Sequence, residues 1–178
     1  MKSIALIGFM GTGKSTLGKA LARRLNLPLV DLDAVIVQEQ QMEISAIFAR
    51  DGEERFRQIE HEALCRYAAQ PDLILSPGGG AVLREENRAV LQKHCWVISL
   101  MARPEVILQR VNGDNTVRPV LEQREPGQSK LQRIEQVLQQ RLPFYQEADL
   151  VLDTSDKSVE ALVEQVVAWI QERAEEWQ

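Results

Sequence analysis

Gly8-Phe9-Met10-Gly11-Thr12-Gly13-Lys14-Ser15-Thr16 is the stretch from which the fold is read. It follows the short apolar run Ile4-Ala5-Leu6-Ile7, which has the length of a strand. It opens into a segment where Leu17, Leu21 and Leu25 recur at helical spacing. Gly8-x-x-x-x-Gly13-Lys14-Ser15 is the phosphate-loop pattern, and it stands in the strand–loop–helix context that the pattern needs. The glycines let the main chain curl until successive N–H groups point inward at phosphate oxygens. The helix that follows aims its positive end at the same point. Gly11, Thr12, Gly13, Lys14, Ser15 and Thr16 are therefore the candidate nucleotide-binding residues. Lys14 is placed to reach the outer phosphates and Ser15 to offer its hydroxyl to magnesium. A glycine turn with a helix cap is the plainer alternative; motif and context together favour a nucleoside triphosphate, ATP.

The whole chain supports a single domain of residues 1–178. At 178 residues, 44% apolar and 26% charged, it can bury a core of its own. The net charge of −5 argues against broad nucleic-acid binding, which needs a basic face. A small anion gripped by a few arginines stays open. Lys2 precedes only a short apolar run and then glycines, unlike a secretory leader. No stretch reaches the length of a membrane span. Cys65 and Cys95, the only two cysteines, read as reduced thiols, so a cytoplasmic protein is expected. His61 with Cys65, and His94 with Cys95, form a weak two-plus-two zinc pattern; core cysteines beside surface histidines are the favoured reading.

Short apolar runs alternate with helical patterns. Strands are expected at Ile4–Ile7, Pro28–Val30 leading into Asp31, Leu73–Leu75, Trp96–Leu100 and Leu150–Leu152. Helices are expected at Lys14–Leu25, Ala34–Gln40, Ile44–Arg50, Glu53–Ala69, Glu85–Lys93, Pro104–Val111 and Leu131–Leu142, with a last one capped by Ser158. That alternation implies an α/β fold, a parallel sheet covered on both faces, with ligands beyond the carboxyl ends of its strands. Those ends carry Gly8–Ser15, Asp31-Leu32-Asp33 and Ser76–Gly80. Residues 112–130 are polar, with Gly113, Pro119, Pro126 and Gly127, and read as a lid.

A second set of residues has the chemistry of an acceptor site. Asp31 and Asp33 flank Leu32 at a strand end, where an extended chain points both carboxylates into one cleft. One would serve magnesium, the other an attacking hydroxyl; helix capping by Asp33 is the alternative. Arg57 and Glu60 share a helical face. Gly78, Gly79 and Gly80 would offer backbone N–H groups to a polar ligand. Arg118 and Arg141 would fork a carboxylate or offset charge on a transferring phosphoryl group. No Asn-Lys-x-Asp base reader of switch GTPases occurs. The run Leu73-Ile74-Leu75-Ser76 ends in serine, where motor ATPases place an aspartate. A small-molecule kinase remains.

Together these segments resemble the shikimate kinase family. The runs GFMGTGKSTLGKALA, DLD, IFARDGEERFRQIE, SPGGGAV, NTVRPVL and RLPFY fall in the family's order, over nearly the whole chain. The resemblance implies a P-loop, nucleoside-monophosphate-kinase-like three-layer fold with a five-stranded parallel sheet and a mobile lid. It implies a substrate-binding helical region at about 32–62, and the transfer of the ATP γ-phosphoryl group to the 3-hydroxyl of shikimate, a step toward chorismate and the aromatic amino acids. By the same resemblance Ser15 is the Mg2+ ligand, with Asp31 and Ser76 reaching the metal through water. Asp33 binds shikimate and is the base, and Lys14, Asp33 and Arg118 are the catalytic set. Arg57 and Arg141 grip the carboxylate, Glu60 orients Arg57, Gly78, Gly79 and Gly80 contact substrate, and Phe48 and Phe56 wall the pocket. Arg110 and the turn Asp153-Thr154-Ser155 are adenine neighbours. One departure is Ile36-Val37-Gln38, where the family often has Ile-Glu. A gluconate- or nucleotide-type kinase of the same fold, and a non-catalytic ATP-binding switch, are the alternatives. With no long apolar heptad to mark an interface, a monomer is expected.

Overall fold

A computed structural model describes residues 2–115 and 118–173. The apolar run that precedes the phosphate loop becomes β1 (Ser3–Gly8), buried at every position. Burial on both sides is what a central strand of a parallel sheet requires. The chain continues through α1 (Lys14–Leu25), β2 (Leu29–Asp31), α2 (Leu32–Gln40), α3 (Ile44–Ala68) and β3 (Ile74–Ser76). A 3-10 turn (Ala81–Leu83) leads to α4 (Glu85–His94) and β4 (Cys95–Met101). Then follow α5 (Pro104–Asn112), α6 (Pro119–Glu122), α7 (Lys130–Gln146), β5 (Leu150–Asp153) and α8 (Val159–Glu172).

The five strands form one parallel sheet in the order β2-β3-β1-β4-β5. Side chains alternate across it with period two, which sorts the core into two layers. Ile4 and Leu6 pack toward α1 and α8 with Leu17, Leu21, Leu162 and Val166. Ala5 and Ile7 pack on the other face with Leu64, Leu91, Ile107 and Ile134, from α3, α4, α5 and α7. Strand order turns about β1, so the loop after Gly8 opens into the crevice at the carboxyl edge, where ligands of such sheets bind.

Local chemistry sets the boundaries. Asn26, in the left-handed region at φ 54°, closes α1 with arginines 23 and 24 in its last turn. Gly52 (φ 85°, ψ 167°) breaks the α3 span, so Ile44–Arg50 and the segment from Glu53 onward run as the two expected helices. Ser129 and Gln132 form a capping box at the start of α7. Three expectations need correction. Asp31 and Asp33 do not share an extended strand: β2 ends at Asp31, whose Oδ1 accepts the Ala34 N–H at 3.2 Å, and Asp33 lies in the first turn of α2. The cap is thus Asp31, not Asp33. α7 runs past Leu142 to Gln146 with Pro143 inside it, because buried Arg141 and Tyr145 hold its last turn to the core. Within 112–130 the short α6 forms behind Pro119, and residues 116 and 117 of that stretch lie outside the described residues.

Candidate active site

A cavity of about 490 Å³ opens at the carboxyl edge of the sheet and takes lining from both halves of the expected site. The phosphate loop supplies Gly11, Gly13, Lys14, Ser15 and Thr16. Opposite stand Asp31, Asp33, Arg57, Ser76, Gly78, Gly79, Gly80, Arg118 and Arg141. Gly13 takes φ 96° at the head of α1 and caps the helix with no side chain, so the first N–H groups of α1 are left to a ligand. Thr12 is buried and donates its hydroxyl to the Phe9 carbonyl at 2.6 Å, drawing the loop closed.

Lys14 extends back along the loop and donates to the carbonyls of Gly8 (2.7 Å) and Phe9 (3.1 Å). Burial, then the Arg118 charge, lowers its pKa from 10.5 to about 8, against the pull of Asp33. An ammonium held this way is short of counter-charge. Asp33 is shifted the other way. Burial and then the neighbouring Asp31 charge raise its pKa above the ordinary 3.8, while Arg57 and Lys14 oppose the rise. A carboxylate so raised is a stronger base than a free one.

The acceptor side is assembled from separate elements. Arg57 on α3 meets Glu60 Oε1 at 2.8 Å, one helical turn on, and Glu60 is buried. Burial raises the Glu60 pKa and Arg57 pulls it back. Arg141 on α7 is buried, donates to the Gly79 carbonyl at 3.3 Å and lies over the Phe9 ring. Arg118 pairs with Asp114 at 2.7 Å. Phe48 and Phe56 pack on each other at 4.8 Å, and Arg57 lies over the Phe56 ring. Neither ring is among the residues that line the cavity, and Phe56 stands against the arginine.

The residues expected at magnesium converge. Asp31 and Ser76 are direct partners across β2 and β3, and Ser15 faces the same cavity from α1. All three offer hard oxygen, the donor set magnesium takes, and few enough of it to leave room for water and phosphate. The zinc pattern fares otherwise. His61 Nδ1 is 2.7 Å from Asn87 Oδ1, and the Cys95 thiol faces the Ala68 carbonyl in the core. Burial pushes that thiol up to about 11.

A second cavity of about 340 Å³ adjoins the loop and shares Gly11, Gly13, Thr16 and Arg118 with the first. Thr12, Arg110 and Thr154 also line it. Arg110 donates to the Gly11 carbonyl (3.1 Å) and to the Thr154 carbonyl (2.7 Å), tying the loop to the turn after β5. Asp153 and Ser155 shape that turn rather than line the cavity: the Ser155 N–H donates to Asp153 at 2.9 Å and the Ser155 hydroxyl accepts from the Arg103 N–H. Lys157, Val159 and Leu162 line it and escaped the sequence reading. Leu162 belongs to the apolar side of α8, and Lys157 stands three residues past Thr154.

A family model described as shikimate kinase matches residues 10–171. A shikimate kinase of Thermodesulfovibrio yellowstonii is 41% identical over 167 residues, 94% of this chain and 94% of its own. One from Salinibacter ruber is 42% identical over 176 residues, 97% of this chain and 86% of its own. The solved shikimate kinase from Acinetobacter baumannii in complex with shikimate superposes with a TM-score of 0.87 at 32% identity, covering 97% of this chain and 94% of that one. A gluconokinase from Sinorhizobium meliloti, 16% identical at a TM-score of 0.62, shares the fold alone.

Proposed function

The chain belongs to the shikimate kinase family, and from that premise we propose how its own residues carry the family's reaction: transfer of the γ-phosphoryl group of ATP to the 3-hydroxyl of shikimate, giving ADP and shikimate 3-phosphate. Supporting this reading is one observation above the others. The phosphate loop, Asp33, Arg57, Arg141 and the glycine triplet all line a single cavity.

The N–H groups of Gly11–Thr16 cradle the phosphates, and Lys14 leaves its carbonyl partners for the outer ones. Ser15, with Asp31 and Ser76 through water, would hold a magnesium ion that offsets charge on those phosphates. Arg57, steadied by Glu60, and Arg141 fork the shikimate carboxylate. The glycine triplet donates backbone N–H groups to the acceptor. Asp33 accepts the proton of the 3-hydroxyl as its oxygen attacks the γ-phosphorus in line and ADP departs. Arg118 offsets charge on the group in flight. Arg110 and the Asp153–Ser155 turn flank the adenine, Arg110 by holding Gly11 and Thr154.

The proposal takes residues 32–62 as the acceptor region and 112–130 as the lid of one kinase domain. It extends to a cytoplasmic monomer. The two cysteines are free thiols, and among the described residues no helix is long and apolar enough to cross a membrane. Sedimentation at the mass of two chains would contradict the monomer. An assay of ADP release with shikimate, gluconate or a nucleoside monophosphate tests the acceptor. Release with shikimate alone is expected; release with the others at the same rate, or none with shikimate, refutes it.

A further inference from the structure

Nothing in the backbone demands glycine at positions 78–80. Gly80 sits at φ −88°, ψ −8°, and Gly78 and Gly79 are outside the positive-φ region as well. Alanine would fit the conformation at Gly80. What a new methyl would meet differs sharply along the triplet. At Gly80 a Cβ would lie 2.6 and 2.7 Å from the two terminal nitrogens of Arg57 and 3.0 Å from its Cζ. At Gly78 it would lie 2.9 and 3.2 Å from the two carboxylate oxygens of Asp33. At Gly79 the nearest protein atom is Arg141 Nη1, at an ordinary 3.8 Å.

We propose that Gly80 and Gly78 are positioning residues for the protein's own charged groups: the missing side chain at 80 seats the Arg57 guanidinium, and that at 78 seats the Asp33 carboxylate. This rests on the reading of Arg57 and Asp33 given above. It assigns two of the three glycines a task beyond offering N–H groups to shikimate.

The turn behind the triplet keeps a Cβ from being absorbed by a backbone shift. The Ala81 N–H bonds to the Gly78 carbonyl at 3.0 Å. Asn87, fully buried, donates to the Ala81 carbonyl at 2.9 Å, and Arg88 donates to that of Val82 at 2.8 Å. Arg84 ties the turn to α3 through the Arg57 carbonyl at 3.1 Å. On the other side Arg57 is held by Glu60, with Glu53 at 3.7 Å. The yielding part is therefore the flexible end of Arg57. Moving it costs the fold little and moves the group that grips the acid.

A double-mutant cycle tests this. Gly80→Ala is expected to raise the KM for shikimate about tenfold, the size of coupling between groups in contact. Its KM for ATP and its melting temperature should hold. Placed in an Arg57→Ala background, Gly80→Ala should add no further loss. An equal penalty in both backgrounds, or none in the native one, overturns the seat. Arg57→Ala with unaltered shikimate affinity overturns the grip itself, and the seat with it. Gly78→Ala gives a parallel test with a different readout. It should lower kcat more than it raises either KM, and should cost nothing further beside Asp33→Ala. A Gly78→Ala loss that persists unchanged there counts against the proposal.

Discussion

Residues 8–16 and the acceptor half of the cavity meet the same reaction from opposite sides and are built differently. The loop offers consecutive main-chain groups, fixed by the strand before it, the helix after it and the Thr12 hydroxyl. The acceptor half draws Asp33 from α2, Arg57 from α3, Gly78–Gly80 from beyond β3 and Arg141 from α7. Apart from the glycine triplet its groups are side chains, and its two arginines are each steadied by a neighbour: Glu60 under Arg57 and the Gly79 carbonyl at Arg141. A site made of main chain is written in one motif. A site made of distant side chains depends on how the helices pack.

That contrast yields variants with separable effects. The largest is expected where the halves meet. Arg118→Ala should lower turnover by about 10³–10⁵, the range for a charge-clamping arginine, and leave shikimate affinity nearly unchanged. Single-turnover phosphoryl transfer measures it, and retained turnover would remove Arg118 from the chemistry. Asp33→Asn keeps shape and removes the base, so kcat should drop by about 10²–10⁴. A calorimetric titration with shikimate would separate that loss from weaker binding. In the acceptor half alone, Arg57→Ala should weaken shikimate binding by about 2–5 kcal/mol, because it leaves a carboxylate without its partner. ATP binding should be untouched, and equal losses for both ligands would erase the division between the halves.

The smallest effect belongs to the loop and is read from pH. The Lys14 proton is held at about 8 in the free protein, and a bound phosphate draws the pKa back up. ATP binding at pH 8 should therefore take up about half a proton, and ATP affinity should fall as pH rises further. Titrations in buffers of different ionisation enthalpy would detect the uptake, which should vanish in Lys14→Met. Proton release instead of uptake would show that burial does not hold the lysine down. On the acid side the raised Asp33 pKa predicts that turnover fades above the ordinary carboxylate range as pH falls.

The sequence made the loop half plain, since its motif and the α1 limits Lys14–Leu25 are local and agree with the structure. The break at Gly52 was legible for the same reason. The turn at Asp31 was not: a cap and a strand end use the same residue, and only the bond to Ala34 decides between them. Arg57 and Glu60 could be paired by spacing, but their spacing is equally that of a solvated salt bridge; burial of Glu60 sets them apart. Phe48 and Phe56 meet because two helices either side of Gly52 bring them together, which no local pattern announces. Lys157 reaches the second cavity from just before α8, a position where a lysine usually faces water.

The central claim is that a nucleotide's outer phosphate and a small carboxylated alcohol share the cavity between the loop and the arginines. A crystal structure with shikimate and a non-hydrolysable ATP analogue tests it most directly. The account predicts the carboxylate in the forks of Arg57 and Arg141, and the 3-hydroxyl within hydrogen-bond reach of Asp33 and facing the γ-phosphate. Shikimate bound away from Asp33 and the glycine triplet, with the nucleotide still on the loop, would contradict it.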